Sequence, residues 1–533
     1  MDSSLFVFLV LSSSILCYII ASAFYNHYFH PLSKHPGPLL CSVSTLPNFY
    51  HTIKGDRHLW IWSCHQEYGN IIRFVPNGIL LNTPTAYRSI YNSKANVQKP
   101  NTYVAASRDS KHTSTMNTIH PATHSRKRRV LNSVFFDKAV RSAEAFIVEH
   151  VDRWCEILLD GSSDGWTTPK NFATPSSYLA FDIMGTLSFG KSFDLKEPND
   201  SPFRAMLDII PGFMAFFHAL AQSPVLDIWV WLKPRGLDTV LEYLSPPAVK
   251  KIYDFNDTNI KTRIALLQKQ KDSGAEAPEK QRDMLYYLFE AKDLETGEPA
   301  YSDRELYAEV ELLVLAGSDT VAMTLASFIF HVLHNPRVYD KVTEEIRNTF
   351  KSMDDIRGGP ALASCQYFRA CVDETLRMTP VVPSELPREV LAGGCTIDGH
   401  HFEKGTKLGT SHWTLMHNEA FFDDAWDFRP ERWIVDEGNS SDKVALARSA
   451  FFPFSYGPAS CVGQKLAMQE ILIAIGRVLY RMDLRLAPGS CLGVGNPNLY
   501  PAAKGNVVYH ARDVYLSQVD GPSVQFKKKD EAE

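Results

Sequence analysis

The sequence predicts a mainly α-helical protein with small β-sheets, built as a single large domain behind one N-terminal transmembrane helix. Three observations carry that expectation. An uncharged, apolar run occupies Leu5 to Tyr25; apolar residues recur at helical spacing through most of the remainder; and strand signals are few and short. Composition agrees with one soluble fold, since hydrophobic residues make up 45% and charged residues 22% of 533, and the mean hydropathy is −0.18. These values exclude a disordered chain, a polytopic membrane protein and a small disulfide scaffold. A formal net charge of −5 offers no global cation for phosphates, so nucleic acid is excluded as the expected partner.

The boundaries follow from the N-terminus onward. At about 1.5 Å per residue the run from Leu5 to Tyr25 forms a helix of about 31 Å, enough to cross a hydrocarbon core once. A cleaved signal peptide is the competing reading, encouraged by Ala21-Ser22-Ala23, but no Lys or Arg precedes the apolar run. Lys34, Lys54 and Arg57 follow it, which places the body on the cytosolic side. The expected division is therefore an anchor over 1–27, a proline-rich hinge over 28–40 containing His35-Pro36-Gly37-Pro38, and one globular domain over 41–533. Asn199, Asn256 and Asn439 head glycosylation acceptor triplets, and a glycan on any of them would overturn the cytosolic placement.

Within the body, Ile71 to Val75 and Ile79 to Asn82 flank Pro76-Asn77-Gly78 and predict a β-hairpin. Helices are expected over Ala122 to Ala145, Val148 to Leu159, Ser176 to Leu187 and a long stretch from Asp303 to His334. Gln268 to Arg282, rich in Lys, Gln, Glu and Ala, reads as a solvated surface loop. The nine cysteines (17, 41, 64, 155, 365, 371, 395, 461 and 491) are scattered, with no CxxC pair and no zinc spacing, which suits reduced and mostly inert thiols.

One cysteine differs. Cys461 stands in Phe454-Ser455-Tyr456-Gly457-Pro458-Ala459-Ser460-Cys461-Val462-Gly463, just before a helix whose apolar face is Leu466, Ile471, Ala474, Ile475 and Val478. Backbone N–H groups at a helix start stabilise a thiolate, and a thiolate is a soft metal ligand. Gly457 permits a tight turn and Gly463 a close approach of a flat ligand to the backbone. Read alone, the segment is equally compatible with a structural cysteine in a Gly-Pro turn.

These ten residues resemble the haem-ligand loop of the cytochrome P-450 family, Phe-x-x-Gly-x-Arg-x-Cys-x-Gly, with Ala459 in place of the arginine. Three further elements resembling that family occur in order. Glu374-Thr375-Leu376-Arg377 is similar to its Glu-x-x-Arg motif, and Arg432 in Pro430-Glu431-Arg432 would complete a buried triad with Glu374 and Arg377. Ala316-Gly317-Ser318-Asp319-Thr320 resembles the oxygen-binding groove of the long helix. There the resemblance implies that Asp319 and Thr320 deliver protons toward dioxygen at the iron, while Ala316 and Gly317 leave it room. Val321 stands where many relatives carry a second hydroxyl residue, which weakens the water network expected there.

The resemblance extends over essentially the whole chain and implies the cytochrome P-450 fold, with 41–533 as the haem domain. It implies haem b (iron protoporphyrin IX) with an axial thiolate from Cys461, cradled by Phe454, Gly457 and Gly463. His124, Arg128 and Arg388 are the candidate partners of its propionates, the missing arginine at 459 leaving one salt bridge without a named substitute. The implied activity is a monooxygenase in the endoplasmic reticulum membrane, fed by a separate NADPH-cytochrome reductase. The basic run Arg126-Lys127-Arg128-Arg129, with Lys138, Arg141 and Lys465, would receive that acidic partner. The pocket would draw on Thr102 to Pro121, Phe203 to Val225 (with Phe213, Phe216 and Phe217), Leu312 to Ala316 and Val381 to Leu386. Its apolar lining implies a lipophilic small molecule, in fungal relatives a polyketide, terpenoid or alkaloid of secondary metabolism. The aromatic residues of the second stretch are open to a second reading, as ordinary core or as surface dipping into a membrane. Two alternatives stand beside this: a reductase-independent haem-thiolate isomerase or dehydratase, and a non-catalytic haem-binding protein, which Ala459 alone suggests.

Overall fold

The central helix, Asp303–Leu333, is 31 residues long and therefore about 46 Å from end to end. Ser302 starts it with a capping box: its hydroxyl accepts from the Glu305 N–H at 3.4 Å, and the Glu305 carboxylate accepts from the Ser302 N–H at 3.1 Å. In this computed structural model, which describes residues 3–105, 107, 108, 113–163, 165–274, 282–293 and 297–529, the helix runs through the main core. Ala173–Phe189 packs along it. The two approach closely because Gly317 has no Cβ; one built there would lie 2.5 Å from Met184 Sδ. Helices Asp137–Leu159 and Gln464–Arg481 complete the same core.

Two of the expected helices are divided differently. The structure forms Pro121–Val134 and Asp137–Leu159, with the break at Phe135-Phe136 rather than near 146. Ala143, Ile147, Val151, Trp154, Cys155 and Leu158 are all buried, a single stripe at 3.6-residue spacing that continues through the expected break. Phe136, by contrast, is extended at ψ 161° and heads the second helix. The hairpin forms as Ile71–Val75 and Gly78–Leu81, antiparallel with Ile72 opposite Leu80. It joins a five-stranded sheet in which Gly78–Leu81 pairs parallel with Lys407–Gly409, followed by Arg388–Val390 and Val97–Gln98. Gln268 to Asp272 of the expected surface loop belong instead to the helix Pro247–Asp272, and residues 275–281 lie outside the described residues.

Among the described residues, two helices are long and apolar enough to cross a membrane. The central helix is one, and 61% of its apolar window is buried in the protein, so it is core. The other is the N-terminal helix Ser3–Tyr28, whose apolar window from Phe8 to Tyr28 is not buried at all. Only its root is held: the Arg73 guanidinium donates to the Asn26 carbonyl at 2.8 Å, and His27 Nδ1 lies 3.1 Å from Ser42 Oγ.

Beside the central helix, Gln366–Met378 carries Glu374 and Arg377 one turn apart, both fully buried. Glu374 Oε1 accepts from Arg377 at 2.8 Å, from Arg432 Nε at 2.9 Å and from the Arg429 N–H at 3.0 Å; Oε2 accepts from Arg377 Nε at 2.9 Å and Trp433 Nε1 at 3.0 Å. Arg377 also donates to the carbonyls of Met416 and Ala425, and Arg432 to those of Asp423 and Asp424. Burial pushes the Glu374 carboxyl up, but Arg377 and Arg432 outweigh it and hold the group at about 2. Glu374→Gln leaves both cations buried against a neutral amide and is expected to cost about 3–5 kcal/mol. The folded value lies below the ordinary 4.5, so the contribution is complete above that pH and is lost as the pH falls through about 2. Urea unfolding of wild type and variant should differ most above pH 4.5 and converge toward pH 2; equal stability at pH 7 would show that the knot contributes nothing.

Candidate functional site

The Cys461 loop is shaped by its own backbone. Gly457 sits at φ +72°, and a Cβ there would run into the Tyr91 carbonyl, so the turn requires glycine. The Ser460 N–H donates to the Gly457 carbonyl at 3.0 Å and the Cys461 N–H to the Phe454 carbonyl at 2.8 Å, which closes the loop from both sides. Gly463 ends it as the residue before Gln464–Arg481. A Cβ at Gly463 would meet Phe135 at 3.7 Å, ordinary contact, so no protein atom demands glycine there. Cys461 is exposed, yet protein surrounds it closely. That burial pushes its thiol up, while a bond from Gly463 and the charge of Arg128 pull it down. Burial outweighs the two, so the free thiol stays protonated, with a backbone donor and a guanidinium placed to favour its thiolate form.

Around this loop the chain gathers positive charge. Arg128, on Pro121–Val134, donates to the carbonyl of Ser460, next to the cysteine. His124, one turn earlier, lines with Arg128, Gly457 and Pro458 a recess of about 230 Å³. Arg388, on the sheet, lies 3.2 Å from the Tyr103 hydroxyl and 5.0 Å above the Tyr91 ring. Lys99, at the end of Val97–Gln98, donates to the carbonyls of Thr115 and Met116 at 3.0 and 2.9 Å. None of Lys99, Arg128 and Arg388 forms an ion pair with a carboxylate among the described residues. Burial and the charges of Arg388 and Arg128 depress Lys99 to about 7, and burial with the same neighbours holds His124 near 4. A cluster of cations without a carboxylate ion pair among the described residues suits an anion of more than one charge. With the accessible sulfur it fits haem, which presents an iron to the cysteine and two carboxylates to the cations.

The central helix supplies the opposite wall. Midway along it Leu315 is 40% exposed and Ala316 is open, although Leu313, Val314 and Ser318 around them are buried, so the helix borders open space there. The Thr320 hydroxyl donates back to the Ala316 carbonyl at 2.7 Å. Asp319 forms no hydrogen bond or ion pair among the described residues, and burial alone pushes its carboxyl up to about 7. Gly317 lets Met184 approach the helix closely.

Two sequence expectations change. Of the basic run, Lys127 is buried and pairs with Glu305 at 3.2 Å and Glu309 at 3.5 Å, Arg126 pairs with Glu305 at 3.1 Å, and Arg128 turns to the cysteine loop. The carboxylates of the central helix draw these side chains inward, so only Arg129, Arg141 and Lys465 of the expected docking face are exposed, Lys465 already paired with Asp137 at 2.6 Å. The Lys138 side chain lies outside the described residues. The pocket stretches are also less uniformly apolar than expected. In Val381 to Leu386, Ser384 bonds Asp513 at 2.5 Å and Glu385 pairs with a buried Arg57 at 2.7 Å. Phe216 points outward at 55% exposure, and residues 106 and 109–112 lie outside the described residues. Lys99 and Glu309 escape sequence reasoning, because a lysine before a proline and a glutamate in a helix match no motif.

Gly457→Ala is expected to push the loop off the Tyr91 carbonyl, lowering the melting temperature and removing the thiolate signature in the optical spectrum of the haem-loaded protein; an unchanged spectrum would show that the loop tolerates the Cβ. Asp319→Asn tests the buried carboxyl. Its folded value lies above the ordinary 3.8, so its ionisation destabilises the fold increasingly as the pH rises toward 7. The asparagine variant should melt higher than wild type at pH 8 and equally at pH 4; the same difference at both would exclude ionisation as the cause.

Comparison with known proteins places this geometry. The sequence model of the cytochrome P-450 family matches residues 35–495. The chain is 35% identical to cytochrome P-450 monooxygenase apf7 of Gibberella fujikuroi, over 99% of this chain and 98% of the relative. It is 33% identical to monooxygenase fscF of Fusarium equiseti, over 97% and 96%, and 34% identical to monooxygenase AKT7 of Alternaria alternata, over 97% of each chain. With a helical core, an accessible cysteine before a helix and uncompensated cations around it, the chain belongs to the cytochrome P-450 family, which binds haem b through a cysteine thiolate.

Proposed function

We propose that Cys461 is the haem ligand and that the protein is a membrane-anchored monooxygenase, placing one atom of dioxygen in a lipophilic small molecule of fungal secondary metabolism, a polyketide, terpenoid or alkaloid. The observation that carries this reading is the accessible Cys461 held by the Gly457 turn, with Arg128 and His124 beside it. Haem held by a thiolate supplies reductive activation of dioxygen. Phe454, Gly457 and Gly463 would shape the ligand side, and His124, Arg128 and Arg388 would meet the propionates.

The chain's own part is the supply of protons. Thr320 donates its hydroxyl hydrogen bond to the Ala316 carbonyl, which leaves its oxygen free to accept one and so to orient a proton donor beside it. Asp319, raised to about 7, is a neutral donor up to neutral pH and can be recharged from water. Ala316 keeps the wall between them low. Electrons come from a separate NADPH-cytochrome reductase, for which Arg129, Arg141 and Lys465 remain on the surface. The exposed helix Ser3–Tyr28 would anchor the protein in the endoplasmic reticulum membrane, with Lys34, Lys54 and Arg57 behind it holding the 41–533 haem domain in the cytosol and 28–40 serving as the hinge.

A reduced carbon-monoxide difference spectrum tests the ligand: a thiolate-type Soret band is expected, and its loss in Cys461→Ser identifies the sulfur, whereas its persistence would assign another ligand. Reductase-supported oxygenation of lipophilic fungal intermediates tests the activity; turnover of the same compounds without NADPH would replace it with an isomerase. Asp319→Asn should reduce coupled turnover by about 100-fold. Wild-type turnover should fall as the pH rises through 7, with that break absent from the variant.

A further inference from the structure

We infer that Arg73 locks the segment between the membrane anchor and the body of the protein, so that the helix Ser3–Tyr28 meets the body at one fixed angle. The inference rests on the anchor reading above and deepens it. The prolines of 28–40 mark that segment as a hinge, and a buried side chain of the strand Ile71–Val75 holds the hinge in a single setting.

The last turn of an α-helix leaves carbonyls without an intrahelical donor, and they form its negative end. In Ser3–Tyr28 the Tyr25 carbonyl accepts from the Phe29 N–H at 2.8 Å and the His30 N–H at 2.9 Å. The next carbonyl, that of Asn26, accepts from Arg73 at 2.8 Å. Arg73 is 2% exposed and forms no ion pair among the described residues; its Nε and Nη2 donate to the Pro76 carbonyl at 3.1 and 2.6 Å. A buried guanidinium without a carboxylate depends on each carbonyl it reaches. One of the two carbonyls that hold this one belongs to the anchor.

The same residue holds the hinge through its backbone. The Arg73 N–H donates to the Pro36 carbonyl at 2.7 Å. A Cβ on Gly37 would run into the Arg73 carbonyl, so only glycine lets the chain pass there. Between these contacts Leu32 is buried in the core that contains Ile79 and Phe402, and the His35 ring lies 5.6 Å from that of Phe402. His27 Nδ1, 3.1 Å from Ser42 Oγ, ties the anchor root to the helix Leu39–Val43. Contacts at 26, 27, 32, 35 and 36 leave no stretch long enough to swivel, and Arg73 makes the first and the last of them.

The lock decides how the body sits on lipid. Leu39, Leu40, Leu46, Tyr50 and Ile53, on the helices Leu39–Val43 and Leu46–Lys54 that follow the hinge, are each more than half exposed. A swivelling anchor would present them to water and lipid in turn, whereas a fixed one keeps them in a single relation to the bilayer.

The test measures the distance between spin labels on non-natural residues at Ala21, in the anchor, and at Lys404, exposed in the turn before Lys407–Gly409. It uses the full-length protein in phosphatidylcholine nanodiscs, with double electron–electron resonance as the readout and far-ultraviolet circular dichroism confirming a folded chain; haem plays no part in the signal. Wild type is expected to give one narrow distribution, and Arg73→Met one about two-fold broader. Gly37→Ala should broaden it likewise, because it moves 36–37 off Arg73 while the guanidinium remains. Lys34→Met, which removes an exposed cation of the same segment, should keep the wild-type width. A distribution for Arg73→Met as narrow as wild type would overturn the inference, as would a wild-type distribution already as broad as that of the variant, or broadening in Lys34→Met. Should Arg73→Met fail to fold, Gly37→Ala decides by the same criterion. A wild-type chain that does not enter the nanodiscs overturns the anchor reading itself, a result visible before any distance is measured.

Discussion

A single buried carboxylate holds the ligand side of this protein in place. Glu374 satisfies two guanidiniums, a backbone N–H and an indole N–H at once, and the two arginines extend outward to carbonyls of the segments at 416, 423–425 and 427. These segments are irregular, and the arginines supply donors to carbonyls that no regular ladder would satisfy. Trp433, anchored on the same carboxylate, packs on Phe451 at 4.5 Å between ring centres, and Phe452 stacks on Tyr87 at 4.1 Å. The chain then enters the Cys461 loop, whose Gly457 abuts Tyr91. A packed path thus runs from an ion pair on one helix to the position of a sulfur, and disturbance of the first displaces the second.

Charge is distributed by a consistent logic around the central helix. Its carboxylates, Glu305, Glu309 and Glu311, neutralise the cations that serve the fold, and the cations left over collect beside the cysteine. Deeper along the same helix Asp319 is left without a cation, which keeps its carboxyl neutral near physiological pH. Had any of Lys99, Arg128 or Arg388 reached Asp319, the carboxyl would be ionised and unable to give a proton; had a carboxylate reached those cations, they would have no affinity for an anion.

The sequence was most informative wherever chemistry and backbone demand coincide in a short segment. The uncharged run before Tyr25, the Pro-Asn-Gly hairpin, the central helix and the loop from Phe454 to Gly463 were all legible, because each is specified by contiguous residues whose propensities agree. The split between Pro121–Val134 and Asp137–Leu159 was not, since a helix with an unbroken buried stripe tolerates a weak stretch that looks like a boundary in isolation. The fate of the basic run at 126–129 was equally hidden. Four consecutive cations look like a solvated surface until carboxylates some 180 positions later draw in two of them, Arg126 and Lys127, and the Ser460 carbonyl takes a third, Arg128.

What the sequence determined by itself was the family of the fold, the cysteine and the helix that faces it, because those depend on local spacing and on residue types with few alternative uses. Only the tertiary structure decided which charges are paired and which remain free. It packed Gly317 against Met184, placed Glu385 and Arg57 in one buried pair, and held Lys99 on the Thr115 and Met116 carbonyls. Coulomb energy depends on distance and on the surrounding medium, and both are properties of the folded chain that no linear order of residues contains.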